Sequence, residues 1–293
     1  MATVEIAAYG EGVMYPPKLS ANIAAIQTAG WTSVILGLFH VDAAGDISFN
    51  DTQIITGGAY IGAPEWPSQL SQLLSGPGST IERLLASFGG GGVADFQNIQ
   101  TIYENNENSL VGTNFAANCL ALFSTFPMIE LIDMDVEDNY HEPSFVAFCQ
   151  LLKYYGFSIT FCPYTNQSFW TGSLAALNQS NPDAVKWWNL QCYDGGAGNS
   201  PQHWADAIAA AILGFDTTAF IVAGDWVRNS TGQGNCPSEV GSMLSRFRGE
   251  ACTGGAFLWT IDDILWQGTQ NPNPCGGNAT MRDYVAAIAK ALG

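Results

Sequence analysis

Two hydrophobic rhythms alternate along this chain. Short apolar runs closed by glycine or polar turns read as strands, and stretches with apolar residues three and four apart read as helices. The first strand is Val4-Glu5-Ile6-Ala7-Ala8-Tyr9-Gly10; a helix over 19–29 follows, with Leu19, Ile23 and Ile26 on one face and Gly30 in a C-capping place. Val34 to Phe39 is a second strand, apolar almost throughout, which fits a parallel sheet covered on its outer face. The spacing predicts further strands over 81–88, 129–137, 157–162, 185–193, 217–223 and 255–259. Helices are predicted over 66–74, 110–126, 143–155, 169–177 and 237–247, around Trp204, Ile208, Ala211 and Ile212, and after Thr280, which with Asp283 resembles a capping box. Between His40 and Gly62 the pattern loosens into short extended pieces about a turn at Ala44-Gly45-Asp46. Eight strands with eight helical connections and no dividing linker make the repeat of a closed (β/α)8 TIM barrel, an α/β fold taking 1–293 as one domain. An open doubly wound sheet is the alternative, but the final strand-helix pair and the steady spacing favour closure.

The fourth strand, Ile129-Glu130-Leu131-Ile132-Asp133-Met134-Asp135-Val136-Glu137, changes the picture. Period-two alternation puts Asp133, Asp135 and Glu137 on one face and Ile132, Met134 and Val136 on the other. In a barrel the acidic row rises through the interior toward the C-terminal mouth. Three neighbouring carboxylates there are costly unless hydrogen bonds, a shared proton or a bound substrate compensate. At the end of the third strand, Gly89-Gly90-Gly91-Gly92 permits close backbone approach to a ligand or a neighbouring strand, and it lacks the spacing of a dinucleotide fingerprint.

Composition narrows the partners. Nine basic against 26 acidic residues give a formal charge of -17, which disfavours nucleic acid and anionic membranes and leaves a neutral ligand more plausible. The start of the chain has neither the basic residues nor the apolar core of a signal peptide; the location expected is extracellular if a leader has been removed, and otherwise cytoplasmic. Seven cysteines are dispersed: Cys149 and Cys162 read as buried, while Cys236, Cys252 and Cys275 lie in Gly-, Pro- and Asn-rich surroundings suited to a surface disulfide. His40, His141 and His203 form no zinc-ligand pattern, so neither metal nor organic cofactor is expected. Glycosylation acceptor patterns begin at Asn166, Asn178, Asn229 and Asn278.

The acidic strand closely resembles the fourth-strand signature of glycoside hydrolase family 18, the family of chitinases and endo-β-N-acetylglucosaminidases. Its Asp-x-x-Asp-x-Asp-x-Glu pattern falls on Glu130 to Glu137, with Glu130 replacing the first Asp. Ser87-Phe88-Gly89-Gly90 resembles the family's third-strand Ser-x-Gly-Gly, Gln191-Cys192-Tyr193-Asp194 its sixth-strand motif, and Trp259 the tryptophan ending strand eight. The resemblance implies a retaining, endo-acting hydrolase of β-1,4-linked N-acetylglucosamine polymers in which the substrate's own acetamido oxygen is the nucleophile. Glu137 would be the general acid and base, Asp135 would orient the acetamido group, Asp133 would set the charge on Asp135, and Tyr193 would donate to the acetamido oxygen. Trp259 would form the sugar platform, with Asp194, Gln191, Tyr9 and Trp226 as further substrate contacts. Chitin or its oligosaccharides is the expected partner, and the chain is expected to be a monomer. The connection between strands seven and eight is too short for the extra α/β insertion of many processive members, so the compact branch is implied. Two other readings stand beside this one: cleavage of N-glycan cores, and a non-catalytic glycan-binding barrel. Glu130, expected to lie below the acids, puts turnover in question through its extra methylene.

Overall fold

The computed structural model describes residues 4–277 and 279–293; the acceptor asparagine Asn278 lies outside the described residues. Among the described residues, eleven strands form the sheet. Three of them, β3 (Ile47–Phe49), β4 (Thr52–Thr56) and β5 (Ala59–Tyr60), make an antiparallel meander on the end of β2 (Ser33–Val41). The other eight are parallel: β1 (Glu5–Gly10), β2, β6 (Arg83–Gly89), β7 (Ile129–Asp135), β8 (Ser158–Phe161), β9 (Val185–Gln191), β10 (Ile221–Trp226) and β11 (Thr253–Trp259). Each pairs with the next, and β1 pairs with both β2 and β11, with Tyr9 opposite Ile35 and Ala7 opposite Phe257. The sheet is therefore a closed barrel, and the open-sheet alternative is excluded.

Helices wrap it: α1 (Lys18–Gln27), α2 (Trp66–Ser75), α3 (Asp95–Asn105), α4 (Asn114–Thr125), α5 (Glu142–Tyr155), α6 (Gln167–Ser180), α7 (Pro201–Ala211), α8 (Pro237–Leu244), α9 (Ile261–Thr269) and α10 (Met281–Leu292). None is long and apolar enough to cross a membrane. Helix α5 shows how local chemistry fixes an element. Proline sits in its first turn, the His141 ring accepts from the Ser144 N–H, and Gly156 at φ 106° ends it in the left-handed region. The face it buries, Phe145, Phe148, Cys149 and Leu152, is the one its spacing predicts.

The strand alternation separates two cores. Ile132, Met134 and Val136 face outward into the layer beneath the helices. Leu131 points inward with Ala7, Tyr9, Ile35, Leu85, Cys162, Val222 and Phe257, filling the barrel below its mouth. The meander extends the outer layer: Phe49 packs on Phe39 at 5.2 Å and on Trp66 at 4.9 Å, and Trp66 on Phe126 at 5.0 Å.

Several predicted boundaries shift, each for a physical reason. Residues 217–220 turn rather than extend, because Asp216 Oδ1 accepts from the Thr218 N–H and Ala219 adopts φ 52°, so the seventh barrel strand begins at Ile221. The helix expected over 110–126 starts at Asn114, capped by the Thr113 hydroxyl. Helix α3 was not anticipated: it is rich in Asn, Gln and Glu, and only Asp95, Phe96 and Ile99 are buried on it. Helix α9 begins directly after β11, with the Thr260 hydroxyl accepting from the Asp263 N–H, where the pattern reads as the end of a strand. The disulfide joins Cys236 and Cys275, while Cys252 is a buried thiol.

Candidate active site

The acidic row enters the barrel from β7, and each member meets a different environment. Asp133 is fully buried. Its Oδ2 accepts from the Tyr9 hydroxyl (2.7 Å) and Ser87 Oγ (2.8 Å), and its Oδ1 from Thr160 Oγ1 (2.6 Å) and Asn189 Nδ2 (2.8 Å). Burial pushes this carboxyl up, and the four donors work against that shift. They come from β1, β6, β8 and β9, so with its own strand β7 this one carboxyl ties together five of the eight barrel strands. Tyr9 is buried with its hydroxyl already committed to Asp133 and 3.2 Å from Cys162 Sγ. It is a wall beneath the site and does not line the cavity, contrary to the substrate contact expected of it.

Two residues further along the strand, Asp135 is 4% exposed and closes β7. The Gln191 amide nitrogen at the end of β9 donates to Asp135 Oδ1 (3.0 Å) and to Glu137 Oε1 (3.1 Å). Burial, then the Glu137 and Asp133 charges, push Asp135 well above the usual carboxylate range. Burial also raises Glu137, while the Gln191 amide and Asp135 pull it back. Two carboxyl groups held by one amide titrate as a pair, and carrying one proton relieves their repulsion. Glu137 lies two residues past the strand, on the loop leading to α5, rather than on the strand itself.

The glycine run explains how the third barrel strand comes so close. Gly89 has φ 112°, and a Cβ there would overlap the Asp135 carbonyl, which also accepts from the Gly90 N–H at 2.8 Å. A Cβ on Gly91 would lie 3.1 Å from Glu137 Oε2. Glycine therefore leaves the acid uncovered on that side.

Tyr193 follows β9 by two residues and stacks on Trp226 at 5.9 Å and 20°, with its edge toward Phe257 at 6.2 Å. Burial and the nearby thiol and carboxylates raise its hydroxyl well above the ordinary phenol range, so it stays protonated and available as a donor. Trp259, at the end of β11, packs on Tyr9 at 5.3 Å. Asp194 is exposed at the rim, with φ 45°, in a short turn over 194–196. These groups surround a cavity of about 400 Å³ at the C-terminal mouth, in the size range of small-ligand clefts. Asp135, Glu137, Gln191, Tyr193, Asp194, Trp226 and Trp259 line it together.

Glu130 is exposed on the outer face. It precedes Asp133 by an odd number of residues, so alternation sends it away from the acids, and its extra methylene does not reach them. This corrects the expectation that it lies below them.

No family model matches the sequence, and no curated protein does. Solved structures do match. The fold is similar to that of the GH18 chitinase ChiB of Flavobacterium johnsoniae (TM-score 0.60, 12% identity, covering 98% of this chain and 94% of that one). It is also similar to the Group IV chitinase of Ostrinia furnacalis (0.63, 12%, 99% and 100%) and to active domain 2 of a thermostable chitinase from Pyrococcus furiosus complexed with chito-oligosaccharides (0.61, 10%, 99% and 95%). The chain shares the (β/α)8 barrel fold of these structures. At these identities the likeness is one of fold. Among the described residues, the connection 227–252 between the last two barrel strands holds α8 and a short 3-10 turn and no strand of its own.

Three lining residues of the barrel mouth were not among the residues the sequence singles out: Glu11, Leu38 and Tyr164. Glu11 and Tyr164 lie just past the mouth ends of β1 and β8, and Leu38 lies within β2. Position past a strand end is the signal that could have found Glu11 and Tyr164.

Proposed function

We propose that this protein is a retaining, endo-acting glycoside hydrolase that cleaves β-1,4-linked N-acetylglucosamine polymers, chitin foremost, by substrate-assisted catalysis. The observation carrying this reading is the Asp135–Gln191–Glu137 bridge, with Tyr193 beside it in one cavity. Glu137 protonates the glycosidic oxygen as the C1–O bond breaks, and the acetamido oxygen of the same sugar bonds to C1 to give an oxazolinium ion. Asp135, whose environment favours a proton or a cationic neighbour, holds the acetamido N–H, and Tyr193 donates to its oxygen. Water then attacks C1, gives its proton to Glu137 and displaces the acetamido oxygen, so configuration is retained. Asp133 fixes the charge beneath Asp135. Trp259 provides the apolar platform, while Gln191, Asp194 and Trp226 contact the sugars around it.

The short 227–252 connection supports the compact branch of the family, with an open groove and non-processive action. Equal amounts of chitotetraose and a high-mannose glycopeptide, followed by product masses, test the substrate: chitobiose from the first supports the reading, and exclusive release of the intact glycan overturns it. Glu137→Gln should lower kcat by about 10²–10⁴ while sugar binding persists. Binding without turnover by the wild type would leave a glycan-binding barrel instead.

A further inference from the structure

Among the described residues Glu11 forms no ion pair, and the Lys18 ammonium, near the adjacent Gly12, acts on Asp262. Glu11 follows β1 directly and borders the cavity beside Trp259 and Leu38, three strands round the barrel from Glu137. Its main chain is pinned: the Asp262 carboxylate, in the first turn of α9, accepts from the Glu11 N–H (2.7 Å) and the Val13 N–H (3.0 Å). Burial, then the Asp262 and Asp263 charges, push the Glu11 carboxyl up to about 7, and no hydrogen bond pulls it back. The cavity wall carries four carboxyl groups, Glu11, Asp135, Glu137 and Asp194, and no lysine, arginine or histidine among the described residues. Asp135 is nine-tenths buried there, and its Oδ1 accepts from the Gln191 amide. The surrounding field is negative as well, at a formal -17 for the chain.

From this arrangement we infer that Glu11 selects a sugar unit bearing a free amino group, so that the favoured substrate is partly N-deacetylated chitin. The inference rests on the hydrolase reading above. The unit at Asp135 and Tyr193 must keep its acetamido group, because that oxygen bonds to C1. The unit against Glu11 has no such requirement. An ammonium there forms a charge-assisted hydrogen bond to Glu11 and offsets the crowding of negative charge, whereas an acetamido group at the same place satisfies neither need. The result is a cleft that reads two nitrogen states at once, acylated at the reacting sugar and free at the Glu11 unit.

The test uses partly deacetylated chitin, with the products sequenced by mass spectrometry. For the wild type, every new reducing end should be N-acetylglucosamine, and glucosamine should be enriched at one fixed unit from the cut. Glu11→Gln should erase that enrichment and lower the ratio of kcat/KM for partly deacetylated over fully acetylated tetramer about tenfold, the scale of one charge-assisted contact. Raising the salt should erode the wild-type ratio in the same direction. Calorimetric binding of glucosamine tetramer to Glu137→Gln, with and without Glu11→Gln, reads the contact independently of turnover. Enrichment that survives Glu11→Gln, or a binding preference the two proteins share, overturns the role of Glu11. Absence of turnover on every substrate, with the Glu11-dependent binding intact, sinks the hydrolase reading and leaves the Glu11 contact standing.

Discussion

Replacing Gln191 by leucine isolates the link between the two reactive acids. Its amide nitrogen donates to Asp135 at 3.0 Å and to Glu137 at 3.1 Å, and leucine fills similar space with no donor. A hydrogen bond to a charged group contributes about 1.5–3 kcal/mol, and one pKa unit corresponds to about 1.36 kcal/mol. Loss of the donor disfavours the ionised forms, so the apparent pKa values of the pair should rise by about one to two units. The sign follows for activity. The alkaline limb of the kcat/KM profile, where the pair loses the proton it needs, and the acid limb, where it gains a second, should both move to higher pH. Initial rates on a fluorogenic chitooligosaccharide across the pH range, with wild type and Gln191→Leu side by side, make the comparison. If both limbs stay in place while kcat/KM falls evenly across pH, Gln191 acts on the sugar alone and the bridge has no electrostatic role.

Three other substitutions or treatments probe the frame of the site. Gly89→Ala forces a side chain into positive-φ backbone and against the Asp135 carbonyl; a loss of ~2–3 kcal/mol and a thermal midpoint lower by about 4–12 °C are expected by calorimetry. Asp133→Ala strands four buried donors, so a destabilisation of at least ~3 kcal/mol should show in urea titrations, and an unchanged midpoint would contradict the network drawn here. Reducing Cys236–Cys275 releases a loop of 39 residues; the chain-entropy model sets ~4 kcal/mol as the upper bound of the loss, read as a lower melting temperature in the reduced protein and in Cys236→Ser with Cys275→Ser.

What the amino-acid order conveyed was periodic, and what it withheld was long-range. Alternation in β7 alone separates the inward acids from Ile132, Met134 and Val136, and the glycines after β6 carry the mark of close approach to a neighbouring strand. The same alternation, applied strictly, also sends Glu130 outward. The partners of Asp133 were not legible, because Tyr9 is 124 residues away and Asn189 is 56, and only barrel register brings them together. Glu137 and Tyr193 stand past their strands for a related reason: apolar runs continue beyond the last ladder hydrogen bond. Glu11 lies outside every apolar run, and its place at the cleft depends on Asp262 from the far side of the chain.

The seam at β1 also governs how such a molecule can be made. Ala7 must wait for Phe257, 250 positions later, before both edges of its strand are occupied. Until β9 has emerged from the ribosome, Asp133 lacks the Asn189 donor. A nascent chain thus carries an open strand edge for most of its synthesis, the feature that exposes slow, non-local folds to aggregation and to chaperone capture.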